Sequence, residues 1–106
     1  MSAWNSNGHT FRLVTTTGDV VTLQDDVIAY SNTGAKAAAM LAATNPLVQL
    51  GKVYHFSNGN TGTLTLTPAS GTIDGAATKV IAAGTAAAPV CASIIATAGG
   101  WVTFSN

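Results

Sequence analysis

Apolar and polar residues alternate along most of this chain, and the clearest alternation lies near its middle. Lys52, Tyr54 and Phe56 fall on one side of an extended segment, and Val53, His55 and Ser57 on the other. A little further on, Leu64 and Leu66 oppose Thr63, Thr65 and Thr67. Period two is the signature of a β-strand, whose successive side chains point to opposite faces. The polar run Ser57 to Gly62 between the two segments supplies asparagine and glycine for a turn, so the pattern predicts a hairpin with a somewhat long loop. Pro68 to Gly71 ends the second strand, Thr72-Ile73 predicts one further short strand, and Asp74-Gly75 predicts a tight turn.

The same period recurs on both sides of this segment. Phe11 and Leu13 alternate with Arg12 and Val14, and Gly18-Asp19 turns the chain into Val20 to Leu23, which predicts a first hairpin. Gln24 to Asp26 forms the next break, and Val27 to Tyr30 a third strand ending at Ser31 to Gly34. Ala35 to Ala43 has the composition of a short helix, but Met40-Leu41 can equally be read as strand, and both readings stay open. Thr78 to Ile81 predicts a strand and Ala82 to Pro89 a loop of small residues. Val90 to Thr97 then predicts a buried strand, and Trp101 to Phe104 the last one after a turn at Ala98 to Gly100. Short strands separated by turns predict an all-β fold, a small antiparallel β-sandwich or barrel over residues 10–106. Residues 1–9 show no periodicity and read as an amino-terminal arm carrying Trp4.

Composition changes this picture in one respect. At 106 residues the chain has room for one core, yet only 8% of it is charged, with four Lys or Arg against four acidic residues. An exposed small domain ordinarily carries several times that fraction. The shortage implies a surface that is neutral or covered by other subunits, and favours an oligomer or assembled lattice over a monomer. Zero net charge with scattered basic residues argues against nucleic acid as a partner. No apolar run is long enough to span a bilayer, and the polar start shows no secretory signal, so the expectation is synthesis in a cytoplasm. The single cysteine, Cys91, lies in an apolar strand and reads as a buried structural thiol.

Candidate chemistry is sparse. Asp25 and Asp26 are adjacent, but neighbours on a strand face opposite ways, and a turn role explains both. His9 and His55 have no metal-ligand neighbours at a recognised spacing. Ser70 sits in a turn sequence, and no nucleophile elbow or phosphate loop is present. The sequence therefore predicts no enzyme, no metal site and no cofactor.

One segment carries a family resemblance. Thr67-Pro68-Ala69-Ser70-Gly71-Thr72-Ile73-Asp74-Gly75, preceded by Gly51-Lys52-Val53-Tyr54-His55-Phe56 and followed by Gly99-Gly100-Trp101-Val102, resembles a β-rich module of tailed-bacteriophage virion structural proteins, fibre and spike proteins among them. It covers Leu50 to Trp101, and departs from the pattern where Ala98-Gly99-Gly100-Trp101 replaces the more usual Asp-Gly-x-x-Trp. Together with the brevity of the chain, the resemblance implies a capsid decoration (cement) protein on the virion surface. Its expected partners are the major capsid protein and copies of itself, as a trimer. Trp4, Phe11, Ala86 and Trp101 are the candidate contact residues. Two rival expectations are a trimeric tail fibre, spike or adsorption module, and a carbohydrate-binding module stacking sugars on Trp4, Tyr54 and Trp101.

Overall fold

A computed structural model describes residues 10–105 as nine strands in two facing sheets. The strands are β1 (Phe11–Val14), β2 (Gly18–Val20), β3 (Val27–Tyr30), β4 (Lys36–Met40), β5 (Val53–Asn58), β6 (Leu64–Pro68), β7 (Lys79–Ile81), β8 (Val90–Thr97) and β9 (Gly100–Ser105). One sheet has the order β1-β3-β5-β8-β9 and the other β2-β4-β6-β7. The expected all-β sandwich is present, and the segment Ala35 to Ala43 contributes strand β4, with no helix among the described residues.

The pairing corrects the antiparallel expectation. Of the seven strand pairings among the described residues, β1-β3, β3-β5, β2-β4 and β4-β6 are parallel, and only β5-β8, β6-β7 and β8-β9 are antiparallel. Neither early hairpin forms, because β1 and β2 lie in different sheets, as do β5 and β6. Each polar linker is instead a corner at which the chain crosses from one sheet to the other. Three rungs, β1 with β2, β3 with β4 and β5 with β6, stack in parallel as a short coil.

The corners explain why polar residues are buried in this core. A strand that leaves its ladder exposes carbonyls that must find donors. Asn58, wholly buried, donates through Nδ2 to the carbonyls of Gly62 and Ala82 at 3.1 and 2.9 Å. Asn60, also buried, donates to the carbonyls of Gly34 and Gly62. Lys36 turns inward and places Nζ 3.2 and 3.1 Å from the carbonyls of Thr15 and Thr16. Successive corners also bond directly, Gly59 N–H to Tyr30 O and Ser31 N–H to Val14 O. They stack so closely that a β-carbon at Gly62 would run into the Gly34 backbone.

Between the sheets the inward positions of each strand meet. Ile28, Tyr30, Tyr54, Phe56, Leu64, Leu66, Ile94 and Trp101 are almost wholly buried, as period two requires. Tyr54 lies between Phe56 and Trp101, with ring centroids 6.1 and 5.4 Å away. The Trp101 indole N–H donates to Leu41 O at 3.0 Å, so the largest side chain of the core has its polar atom satisfied. The predicted turn at Asp74-Gly75 is present. Both residues have positive φ, 54° and 81°, and Ile73 and Ala76 exchange backbone hydrogen bonds across it, as a type I′ turn requires. This segment lies along β9, where Trp101 N–H donates to Thr72 O and Asp74 N–H to Trp101 O.

Candidate functional site

The inward turn of the charged residues decides the character of the surface. Arg12, on β1, faces the gap between the sheets and meets Asp19 on β2 and Asp25 in the following bend, with closest approaches of 2.6 and 3.0 Å. Tyr30 donates its hydroxyl to Asp19 Oδ2 at 2.7 Å. Burial works to raise the Asp19 pKa, but the hydrogen bonds from Arg12 and Tyr30 outweigh it and hold the carboxyl below its ordinary range. Burial, followed by the hydrogen bond to Asp19, raises the Tyr30 phenol well above its usual value. Tyr54 donates to Thr22 O at 2.9 Å, and burial, helped by the charges of Asp25 and Asp26, pushes its pKa up to about 12.

The remaining charges are placed in the same way. Lys52 pairs with Asp26 at 3.1 Å and lies over the Tyr54 ring, and Lys79 lies 3.6 Å from Asp74 Oδ2. Asp74 in turn accepts from the Thr103 hydroxyl and backbone N–H, which, with Lys79, hold its pKa low. With Lys36 buried, every Lys, Arg and Asp of the chain is engaged within its own fold.

Among the described residues, neither broad outer face carries a charged side chain. On the four-stranded sheet the outward positions are Gly18 and Val20, Ala37 and Ala39, Thr65 and Thr67, and Val80, a flat surface of small residues. On the five-stranded sheet the rows are bulkier. Phe11, Val27, His55 and Ser93 form one row, and Leu13, Ala29, Ser57 and Cys91 the next. Val53, Ile95 and Val102 form a third, with Phe104 beside His55, the ring centroids 6.3 Å apart. Phe11, Leu13, Val102 and Phe104 remain 46, 57, 41 and 55% exposed.

The contact residues expected from sequence are thereby divided. Phe11 lies on this apolar face, and Ala86 is exposed in the loop between β7 and β8, while Trp4 lies outside the described residues, as does His9. Trp101 is corrected: only 1% of it is exposed, because it faces inward on β9 and fills the centre of the core. Tyr54 is buried to the same degree, so these two rings offer no sugar-stacking platform. Cys91 is also corrected, since it stands on the outer side of β8 and is exposed. The signal that could have found the face is the period itself: with Arg12 turned inward, Phe11 and Leu13 must turn outward.

Two other features invite a chemical reading. His55 Nδ1 lies 2.7 Å from Ser93 Oγ, which is hydrogen-bonding distance for a base and a hydroxyl, but the pair lies on an open sheet face beside Phe104. A cavity of about 420 Å³ opens elsewhere, among Leu23, Leu47, Leu50 and Lys52. Among the described residues, no group of three or more His, Cys, Asp or Glu comes together to hold a metal ion. No protein-family model and no curated protein matches this chain.

Proposed function

We propose that this chain is a virion structural protein of a tailed phage, a decoration protein that binds the assembled capsid lattice and stabilises it. The observation that carries this reading is that, among the described residues, neither broad face of the sandwich bears a charged side chain, while all eight Lys, Arg and Asp side chains are engaged within the fold. Such a surface suits lasting contact with other protein subunits better than exposure to solvent. The resemblance of Thr67 to Gly75 to phage virion modules supplies the class of lattice. A chain that binds only the assembled lattice stabilises it by mass action, with no chemistry required.

A tail fibre, spike or adsorption module is the second reading, and the three stacked parallel rungs favour it, because stacked rungs also build elongated fibres. Cosedimentation of the purified chain with expanded phage heads that lack it separates the two. Saturable binding at a fixed ratio to the major capsid protein supports decoration. Failure to bind heads, together with attachment to host cells or tails, supports the adsorption module.

A further inference from the structure

We propose that the outer face of the five-stranded sheet is the contact between two copies of this chain, packed face to face about a two-fold axis. The inference goes beyond the lattice reading, since it concerns the free protein and holds whichever particle the protein joins.

Size is the first argument. The molecule measures 35 × 33 × 22 Å, and the short axis matches two sheets ~10 Å apart with their outer side chains. Covered by its own image, a face of 35 × 33 Å has room for the roughly 800 Å² per partner that a standard stable interface buries. Exposed bulky apolar side chains gathered on one face, here Phe11, Leu13, Val102 and Phe104, commonly mark a protein contact.

Chemistry selects the occupant. A partner recruited by charge would need a charged group on this face, and Arg12, on its edge strand β1, is turned inward to Asp19 and Asp25. A second copy brings the same uncharged rows, so no like charges meet and no ion is desolvated. At the centre His55 Nδ1 already has a partner in Ser93 Oγ, at 2.7 Å. The most exposed bulky residues stand on the two outermost strands, Phe11 and Leu13 on β1 and Val102 and Phe104 on β9. Between them lie the smaller Ala29 and Ser57 together with Val27, Val53, His55 and Ile95. One patch that complements itself gives an isologous pair, whereas a three-fold ring requires two different complementary patches.

Light scattering on the purified chain over a range of concentrations, coupled to thiol labelling, tests this. The expected mass is twice the 10.6 kDa of the chain. Leu13→Asp and Val102→Asp are expected to return it to the single-chain mass while keeping the wild-type circular dichroism. Thr67→Asp, on the opposite face, is expected to leave the pair intact. In the wild type the exposed thiol of Cys91 lies within the contact. Its reaction with a disulfide reagent is expected to be slowed at least about tenfold at high protein concentration and to recover on dilution. A single-chain or three-chain mass for the wild type overturns the proposal, as does a pair that survives both aspartates. Thiol reactivity independent of concentration overturns it without any variant.

Discussion

Arg12 on β1 grips Asp19 on β2 through two parallel hydrogen bonds, Nη1 to Oδ1 at 2.6 Å and Nη2 to Oδ2 at 3.0 Å, and so ties the two sheets together at the first rung. The same guanidinium reaches Asp25 through Nε and Nη2, both at 3.0 Å. One planar fork thus serves two carboxylates, a geometry that a lysine ammonium cannot reproduce. Replacing Arg12 by Met leaves two largely buried carboxylates without their cation. Removing one partner of a buried pair costs ~3–5 kcal/mol, and the partial exposure of Arg12 reduces this to about 2–3 kcal/mol. Urea denaturation of Arg12→Met and Arg12→Lys is expected to show this loss and a smaller one, respectively. An unchanged midpoint for Arg12→Met would mean that the network adds nothing to the fold.

Acid should weaken the fold through Asp19 and Asp74. Both carboxyls are held below their ordinary range in the folded chain, Asp19 by Arg12 and Tyr30 against the effect of burial, Asp74 by Thr103. On acidification the unfolded chain therefore takes up these protons first, near pH ~3.9. The stability is fully present above about pH 5 and is lost progressively as pH falls through the folded values. Urea midpoints between neutral and strongly acidic pH are expected to be flat and then to fall. In an Asp19→Asn, Asp74→Asn double variant the acid limb is expected to be shallower. A limb of unchanged depth in that variant would place the acid sensitivity elsewhere.

Stacking of the corners makes one glycine far more demanding than another. A β-carbon at Gly62 meets the carbonyl carbon and oxygen of Gly34, which belong to the backbone of the neighbouring corner and cannot rotate away. At Gly99, in the β8–β9 turn, a β-carbon meets nothing within 4 Å. Gly62→Ala is expected to cost about 2 kcal/mol or more and Gly99→Ala less than about 0.5 kcal/mol. Thermal unfolding of the two variants checks this, and equal melting temperatures would contradict the close approach of the corners.

Asn58 tests the buried polar corner directly. Its amide is the donor to Gly62 O and Ala82 O in a site closed to solvent. Asn58→Ala removes that donor and opens a cavity, for an expected loss of about 2–3 kcal/mol. Ser57→Ala, one position along on the outer side of the same strand, is expected to change stability by less than about 0.5 kcal/mol. Similar losses for the two would show that the corner carbonyls find other partners.

Much of this architecture is legible in the alternation alone. Tyr54, Phe56, Leu64 and Leu66 face inward as their period demands, and β8 occupies the expected span from Val90 to Thr97. What period two cannot reveal is a strand's neighbour, because a strand alternates in the same way in a hairpin and in a parallel coil. The link Thr15 to Thr17 is short enough for a hairpin, and only the inward Lys36, bonded to its carbonyls, marks it as a corner between sheets. Trp101 and Cys91 lie on the opposite side from the expected one for a related reason. Single residue types suggest surface or core by habit, whereas register decides it: Trp101 pairs with the buried Ala96, and Cys91 with the outward Ser57. The uncharged faces were foreshadowed by the 8% of charged residues, but their cause, inward pairing of Arg12, Asp19 and Asp25, needs the fold.

The measurement that bears most directly on the proposed role is a binding isotherm of the purified chain on expanded heads lacking it, taken at ~0.05 M and ~0.5 M salt, which brackets strong and weak screening. Contact through uncharged faces predicts saturation at a fixed ratio to the major capsid protein, with an affinity that changes less than about threefold between the two conditions. Absence of saturable binding, or binding that disappears at high salt, would contradict it.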